Sequence, residues 1–258
     1  MALITGASKG IGRELAKVFA KNGYSLILIA RTTSELESLQ QELKNTYQCT
    51  SKILPLDLSE SNAVDEIMNT FKEDIINLDV LVNNAGFGKS SKFTNMSKED
   101  VEGMLAVNIR VLTELTYRVL PYMTAKKQGK ILNVASIAAY APGPYMAMYY
   151  ATKAYVLSFS VALYEEYKND GVIISALCPG YTETEFQARA GLKGAAMMDR
   201  MFPIMTAEQV ATIGYDQLMK NKSVIITGMI NKIFVFLLWL FPQSLNAKIT
   251  AMICKPRN

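Results

Sequence analysis

Ala2-Leu3-Ile4-Thr5-Gly6-Ala7-Ser8-Lys9-Gly10-Ile11-Gly12 is the stretch on which the reading of the fold turns. A short apolar run, Ala2–Thr5, ends in a glycine-rich turn. The turn leads into a helix whose apolar stripe is Ile11, Leu15, Val18 and Phe19, with Arg13, Glu14, Lys17 and Lys21 facing out and Asn22-Gly23 as its stop. Glycines let the backbone turn tightly and approach a ligand closely. The helix N-terminus beyond them offers free N–H groups and a positive dipole to a pyrophosphate. A plain Gly-rich strand-to-helix turn would use the same residues, but its position directly after the first strand favours nucleotide binding. The spacing is Gly-x-x-x-Gly-x-Gly, not the commoner Gly-x-Gly-x-x-Gly.

Working outward, short apolar runs recur at Ser25–Ala30, Lys52–Asp57, Asp79–Asn83, Lys130–Ser136, Val172–Cys178 and Ser223–Thr227, with helical stretches between them. Helices are expected to start near Ser34 and near Ser59, and a long one to run from about Lys98 to Val119, before Pro121. Strands alternating with helices imply βαβ units. The expected class is α/β, a doubly wound parallel sheet of about seven strands with helices on both faces. Ligands on such sheets bind beyond the carboxyl ends of the strands.

Composition narrows the chemistry. The chain of 258 residues is 50% hydrophobic and has no Pro/Gly/Ser-rich linker, so residues 1–258 read as one domain. It contains no histidine. That excludes Ser-His-Asp hydrolysis, Cys-His proteolysis and His-ligated zinc catalysis, leaving Tyr, Lys, Cys or a carboxylate to move a proton. Cys49, Cys178 and Cys254 are widely spaced and odd in number, which fits reduced cytosolic thiols and neither a disulfide framework nor a metal site. The start Met1-Ala2-Leu3-Ile4-Thr5 runs straight into a strand and leaves no room for a signal peptide, so a cytoplasmic location is expected. The net charge of +4 is scattered, which gives nucleic-acid binding no support.

Tyr-x-x-x-Lys occurs at Tyr122/Lys126, Tyr149/Lys153 and Tyr164/Lys168. Only Tyr149 has a serine thirteen residues upstream, Ser136, at the end of the apolar run Lys130–Ser136. These three side chains can converge on one carbonyl oxygen and exchange a proton with it. A free tyrosine has a pKa of about 10, too high for an efficient base near neutrality. Lys153, one turn away on the same face, is expected to favour the phenolate, and Ser136 to hydrogen-bond the substrate oxygen.

Thr5-Gly6-x-x-x-Gly10-x-Gly12, Asn83-Asn84-Ala85-Gly86, Asn108, Ser136, Tyr149-x-x-x-Lys153 and Pro179-Gly180, in that order over residues 1 to 230, resemble the short-chain dehydrogenase/reductases. The resemblance implies a Rossmann fold, a nicotinamide cofactor and interconversion of a carbonyl compound and an alcohol. It implies Tyr149 as general acid in reduction and base in oxidation, Ser136 on the substrate oxygen, Lys153 on the nicotinamide ribose, and Asn108 linking Lys153 to solvent through water, with a buried structural amide the other reading of Asn108. Cofactor contacts are expected from Gly6, Ser8, Lys9, Gly10, Ile11 and Gly12. Asp57 and Leu58 are placed beside the adenine, and the segment Asn83, Ala85, Gly86 buttresses the cleft, Asn84 being possible as structure alone. Pro179, Gly180, Thr182 and Thr184 close over the nicotinamide amide and phosphates.

Cofactor choice is read after the second strand. Where NAD-binding chains place an acid for the ribose 2′-hydroxyl, this chain has Ala30-Arg31. An arginine can clamp a 2′-phosphate bidentately, with Ser8 and Lys9 adjacent, so NADP (NADPH) is the expected cofactor. The alternative is a solvated Arg31.

The stretch 185–206 is irregular and rich in methionine (Met197, Met198, Met201, Met205), which suits a lid over an apolar substrate and equally a helical excursion with core methionines. In the apolar extension 229–258, the run Ile233–Phe241 is stopped by Pro242 and falls well short of the roughly twenty residues of a membrane span. It can cap the pocket, form a contact in an expected homodimer or homotetramer, or rest on a membrane surface. The leading reading is an NADP(H)-dependent oxidoreductase acting on an apolar small-molecule ketone, aldehyde or alcohol. A silent dinucleotide sensor or scaffold is the alternative. Nucleotide-sugar epimerase or dehydratase chemistry is disfavoured, since little room remains for a larger carboxyl-terminal substrate domain.

Overall fold

The computed structural model describes residues 1–191 and 204–254, apart from the side chain of Ile253. Its strands are β1 (Ala2–Thr5), β2 (Leu26–Ala30), β3 (Ser51–Pro55), β4 (Val80–Asn83), β5 (Gly129–Val134), β6 (Val172–Cys178), β7 (Thr182–Glu183), β8 (Met205–Thr206) and β9 (Val224–Ile226). Seven of them form one parallel sheet in the order β3-β2-β1-β4-β5-β6-β9, while β7 and β8 pair separately. These seven are the apolar runs expected from the sequence, each within a residue or two of its bounds. The order reverses between β1 and β4, so a crevice opens at the carboxyl ends of those two strands.

The strands read as continuous apolar runs because both faces of the sheet are buried. In β1, Ala2 and Ile4 join one core and Leu3 the other; in β2, Leu26 and Leu28 face one side, Ile27 and Ile29 the opposite. Helices α1 (Gly10–Lys21) and α2 (Thr33–Tyr47), with the helix Ala207–Met219, cover the first face through Leu15, Phe19, Leu39, Leu43 and Val210. Helices α3 (Ala63–Thr70), α4 (Lys72–Ile76), α6 (Leu112–Lys126) and α7 (Ala147–Tyr167) lie on the second side, with α5 (Lys98–Leu105) against α7. The outward charges of α1 are used: Arg13 and Lys17 both pair with Glu42 of α2.

One boundary differs from expectation. The long helix passes Pro121 and ends at Lys126, where Lys127 turns left-handed at φ 51°. A proline removes the bond to the carbonyl four residues back, here that of Tyr117. Pro121 and Tyr117 are both exposed, so the vacated carbonyl meets solvent and the helix continues. Between α5 and α6 the helix widens into one π segment, Ala106–Val111, which carries Asn108. π segments are often found at functional sites.

Of the stretch 185–206, residues 192–203, including Met197, Met198 and Met201, lie outside the described residues. Met205 pairs with Thr182 in the β7–β8 ladder. The run Ile233–Phe241, but for Phe241 itself, falls in the helix Met229–Leu240, which is followed by the helix Gln243–Cys254.

Candidate active site

The crevice at the strand reversal is built first by close approach. Gly6 has φ +65°, and a Cβ there would stand 2.9 Å from the Ala85 backbone. At Gly12 a Cβ would lie 2.2 Å from the Gly6 carbonyl oxygen and 2.3 Å from Asn84 Nδ2, so α1 can reach the loop only with glycine at this position. Asn84 then laces β4 to β1: its Nδ2 donates to the carbonyls of Thr5 at 2.9 Å and Gly6 at 3.1 Å. Thr5 Oγ1 accepts from the N–H groups of Asn84 and Ala85. The N-terminus of α1 has no side-chain cap and no acidic residue in its first turn, which leaves its N–H groups and positive dipole open to an anion.

The second half of the site comes from β5 and α7. Lys153 is buried, and its Nζ donates to the Val134 carbonyl at 2.7 Å while standing 5.8 Å from the centre of the Tyr149 ring. Ser136 lies two residues beyond β5 and caps the short turn Ile137–Tyr140; its Oγ accepts from the Ala138 N–H at 3.1 Å. Burial pushes the Tyr149 phenol up to about 12, against the nearby Ser136 hydroxyl, which draws it down. Burial likewise brings the Lys153 ammonium down to about 8. Low-dielectric surroundings thus disfavour both charged forms, the Tyr149 phenolate and the Lys153 ammonium. The other two Tyr-Lys pairs stay apart from this site. Tyr122 is exposed, while Lys168 pairs with Glu165 on the surface and its Nζ stands 5.8 Å from the Tyr164 ring centre.

Both halves wall one cavity of about 540 Å³. Gly6, Ser8, Lys9, Gly10, Ile11, Arg31, Asp57, Leu58, Ala85, Gly86, Ser136, Tyr149, Lys153, Pro179, Gly180, Thr182 and Thr184 all line it. Three residues named from the sequence do not. Gly12 packs behind the loop, as above. Asn83 points into the core, where its Nδ2 donates to Asn133 at 2.9 Å and Thr116 at 3.1 Å; the cleft is buttressed by Asn84 instead. Asn108 is buried and spends its amide on the Phe87 carbonyl at 2.9 Å and Thr152 Oγ1 at 3.0 Å, while its oxygen accepts from the Phe87 N–H. It fixes the backbone after Gly86, within reach of Lys153: a Cβ on Gly86 would lie 3.2 Å from Asn108 Oδ1 and 3.3 Å from Lys153 Nζ.

At the far end of the cavity Arg31 is 67% exposed on its side chain and only loosely paired with Asp57, at 3.9 Å. Lys9 is held by Glu35 at 2.8 Å and by Glu185 at 3.0 Å. Glu35 was not singled out from the sequence; its place in the first turn of α2, four residues after Arg31, was the available signal. Around Tyr149 the lining is aromatic and apolar: Met146, Tyr150 and Phe186, with the Phe186 ring centre 5.1 Å from that of Tyr149. Phe234, Leu238, Thr250 and Cys254 close the same end, so one side of the run Ile233–Phe241 does face the pocket. Asn231 packs against Gly180, where a Cβ would sit 2.2 Å from its Nδ2.

The family model described as short chain dehydrogenase matches residues 1–193. Very-long-chain 3-oxoacyl-CoA reductase of Bos taurus is 32% identical over 188 residues, 71% of this chain and 60% of that protein. The 17-beta-hydroxysteroid dehydrogenase type 3 of Homo sapiens is 37% identical over 183 residues, 69% of this chain and 57% of that protein. The match thus spans under two thirds of either relative. Among solved structures, a short-chain dehydrogenase from Sphingobium yanoikuyae in complex with NADPH superposes with a TM-score of 0.82 at 29% identity, covering 100% of this chain and 96% of that one.

Proposed function

The chain belongs to the short-chain dehydrogenase family, and from that premise we propose that it is an NADP(H)-dependent oxidoreductase that reduces a ketone or aldehyde group on an apolar substrate to an alcohol. The observation that carries this reading is the convergence of Ser136, Tyr149 and Lys153 on one wall of a cavity whose other end is the open N-terminus of α1.

The residues fit the dinucleotide on physical grounds. Gly6 and Gly10 hold the positive φ that brings backbone to the cavity surface, and the uncapped helix end suits a pyrophosphate. Arg31 is assigned to the 2′-phosphate, because it lines the cavity with a mostly exposed guanidinium and a weak partner. Lys9 is the lesser candidate, since two carboxylates already engage it. The NADPH held by the similar Sphingobium yanoikuyae enzyme supports the same cofactor. When bound, the reduced nicotinamide supplies a hydride.

The chain supplies the proton. Tyr149 is a protonated phenol at neutral pH and donates its proton to the substrate oxygen, with Ser136 Oγ–H stabilising the charge that develops there. Lys153 is assigned to the ribose and to the Tyr149 hydroxyl, and Asn108 positions the backbone beside it. Met146, Tyr150, Phe186, Phe234 and Leu238 give the substrate end its apolar character, in keeping with the steroid and acyl-CoA names of the relatives.

The test is a panel of carbonyl compounds followed by NADPH absorbance. Bulky apolar ketones should be reduced with higher kcat/KM than small polar ones. A protein that binds NADPH and reduces no member of the panel would contradict the proposal.

A further inference from the structure

The helix Met229–Leu240 is apolar on both faces. Inward, Phe234 and Leu238 stand one turn apart on the cavity, and the one polar residue nearby, Asn231, is buried. Outward, Met229, Ile233, Phe236 and Leu240 follow at helical spacing and are exposed; Phe236 is 59% and Trp239 80% accessible. Helices on the surface of a globular domain carry polar residues on their outer side. Of the exposed residues here only Lys232 is polar. On the next helix Met252 is 70% exposed and Lys248 is exposed as well.

We propose that these two helices dock the protein peripherally on an anionic lipid surface, with Phe236 and Trp239 entering the interface and Lys232 and Lys248 meeting the phosphates. Charge selects this occupant. The sequence 229–258 carries Lys232, Lys248, Lys255 and Arg257 and no Asp or Glu. Such a segment complements anionic headgroups. A second copy meeting the same face would bring its own lysines and no carboxylate from this segment. Among the described residues no helix is long and apolar enough to cross a membrane, so the contact is peripheral. One helix then separates lipid from cavity, a short route for a membrane-dissolved substrate. That last consequence rests on the oxidoreductase reading; the docking does not.

Trp239 is the only tryptophan, so its emission reports this face directly. With vesicles of phosphatidylcholine and phosphatidylglycerol, the emission should shift to the blue and the protein should sediment with the lipid, both effects weakening with salt. Vesicles of phosphatidylcholine alone should bind far less. Lys232→Gln with Lys248→Gln should weaken binding about 30-fold, the conversion of about 1 kcal/mol per lysine near an anionic surface. Phe236→Ser with Leu240→Ser should abolish co-sedimentation while circular dichroism shows the fold retained. An unchanged emission with both vesicles, or equal binding to neutral and anionic ones, overturns the proposal. So does a concentration-dependent dimer that the Phe236→Ser, Leu240→Ser variant removes. None of these readouts requires turnover, so they fail or succeed independently of the proposed reaction.

Discussion

At the scale of single residues, Lys153 combines a buried ammonium with a fixed position. Burial lowers its pKa from 10.5 to about 8, so the stability linked to it is present above pH 10.5 and is lost as the pH falls towards 8. Tyr149 has the opposite sign: raised from 10 to about 12, its contribution is full below pH 10 and fades above it. Comparing wild type with Lys153→Met removes the tyrosine term. The stability of wild type relative to the variant should therefore rise between pH 8 and pH 10.5, a trend that denaturant melts at the two ends can check. Lys153→Met should also weaken NADPH binding and lower turnover. Arg31 makes a separate prediction. Its loss in Arg31→Ala should weaken NADPH binding by roughly 1.5–3 kcal/mol, the value of hydrogen bonds to a charged group, and scarcely change NADH binding. Ala30→Asp should go further and shift preference towards NADH by repulsion. An Arg31→Ala loss shared equally by the two cofactors, in titrations of each, would detach Arg31 from the phosphate.

Among the elements, the junction of β1, α1 and β4 is the tightest. Gly12→Ala would set a methyl 2.2 Å from the Gly6 carbonyl oxygen, where backbone has to move. A destabilisation of roughly 1–3 kcal/mol is expected by overpacking alone, with NADPH affinity falling as the loop is displaced. A melt equal to wild type would show that the loop yields freely. This junction also marks where the sequence is legible. The glycine spacing, the Asn84-Ala85-Gly86 turn and the apolar runs specify backbone approach and sheet burial, and these are local properties. Asn83 reads as one segment with its neighbours, yet its side chain turns into the core. Strand alternation puts it on the same face as Leu81, towards α6, while Asn84 is the first residue to leave the strand. Pro121 was read as a stop because the rule for proline assumes a buried helix interior, and the exposure of Tyr117 depends on tertiary packing that no local pattern encodes. The pairing of Lys9 with Glu185 joins residues 176 positions apart and has no local signal at all.

For the molecule as a whole, one sheet reversal gathers a helix end, an arginine and a Ser-Tyr-Lys group around a cavity of about 540 Å³, and the carboxyl-terminal helices close its apolar end. The proposed site was legible because only one of three Tyr-Lys pairs has a serine thirteen residues upstream. What spacing could not give is the effect of burial, which pushes the Tyr149 phenol up to about 12. One paired measurement tests whether Tyr149 supplies the proton within an NADPH site: NADPH-dependent ketone reduction and the Kd for NADPH, for wild type and Tyr149→Phe. The variant should bind NADPH as wild type does and lose turnover by about 100-fold or more, the contribution of a positioned acid. Tyr122→Phe and Tyr164→Phe, measured alongside, should retain activity. Full turnover in Tyr149→Phe, or inactivation by either of the other two substitutions in its place, would contradict that role.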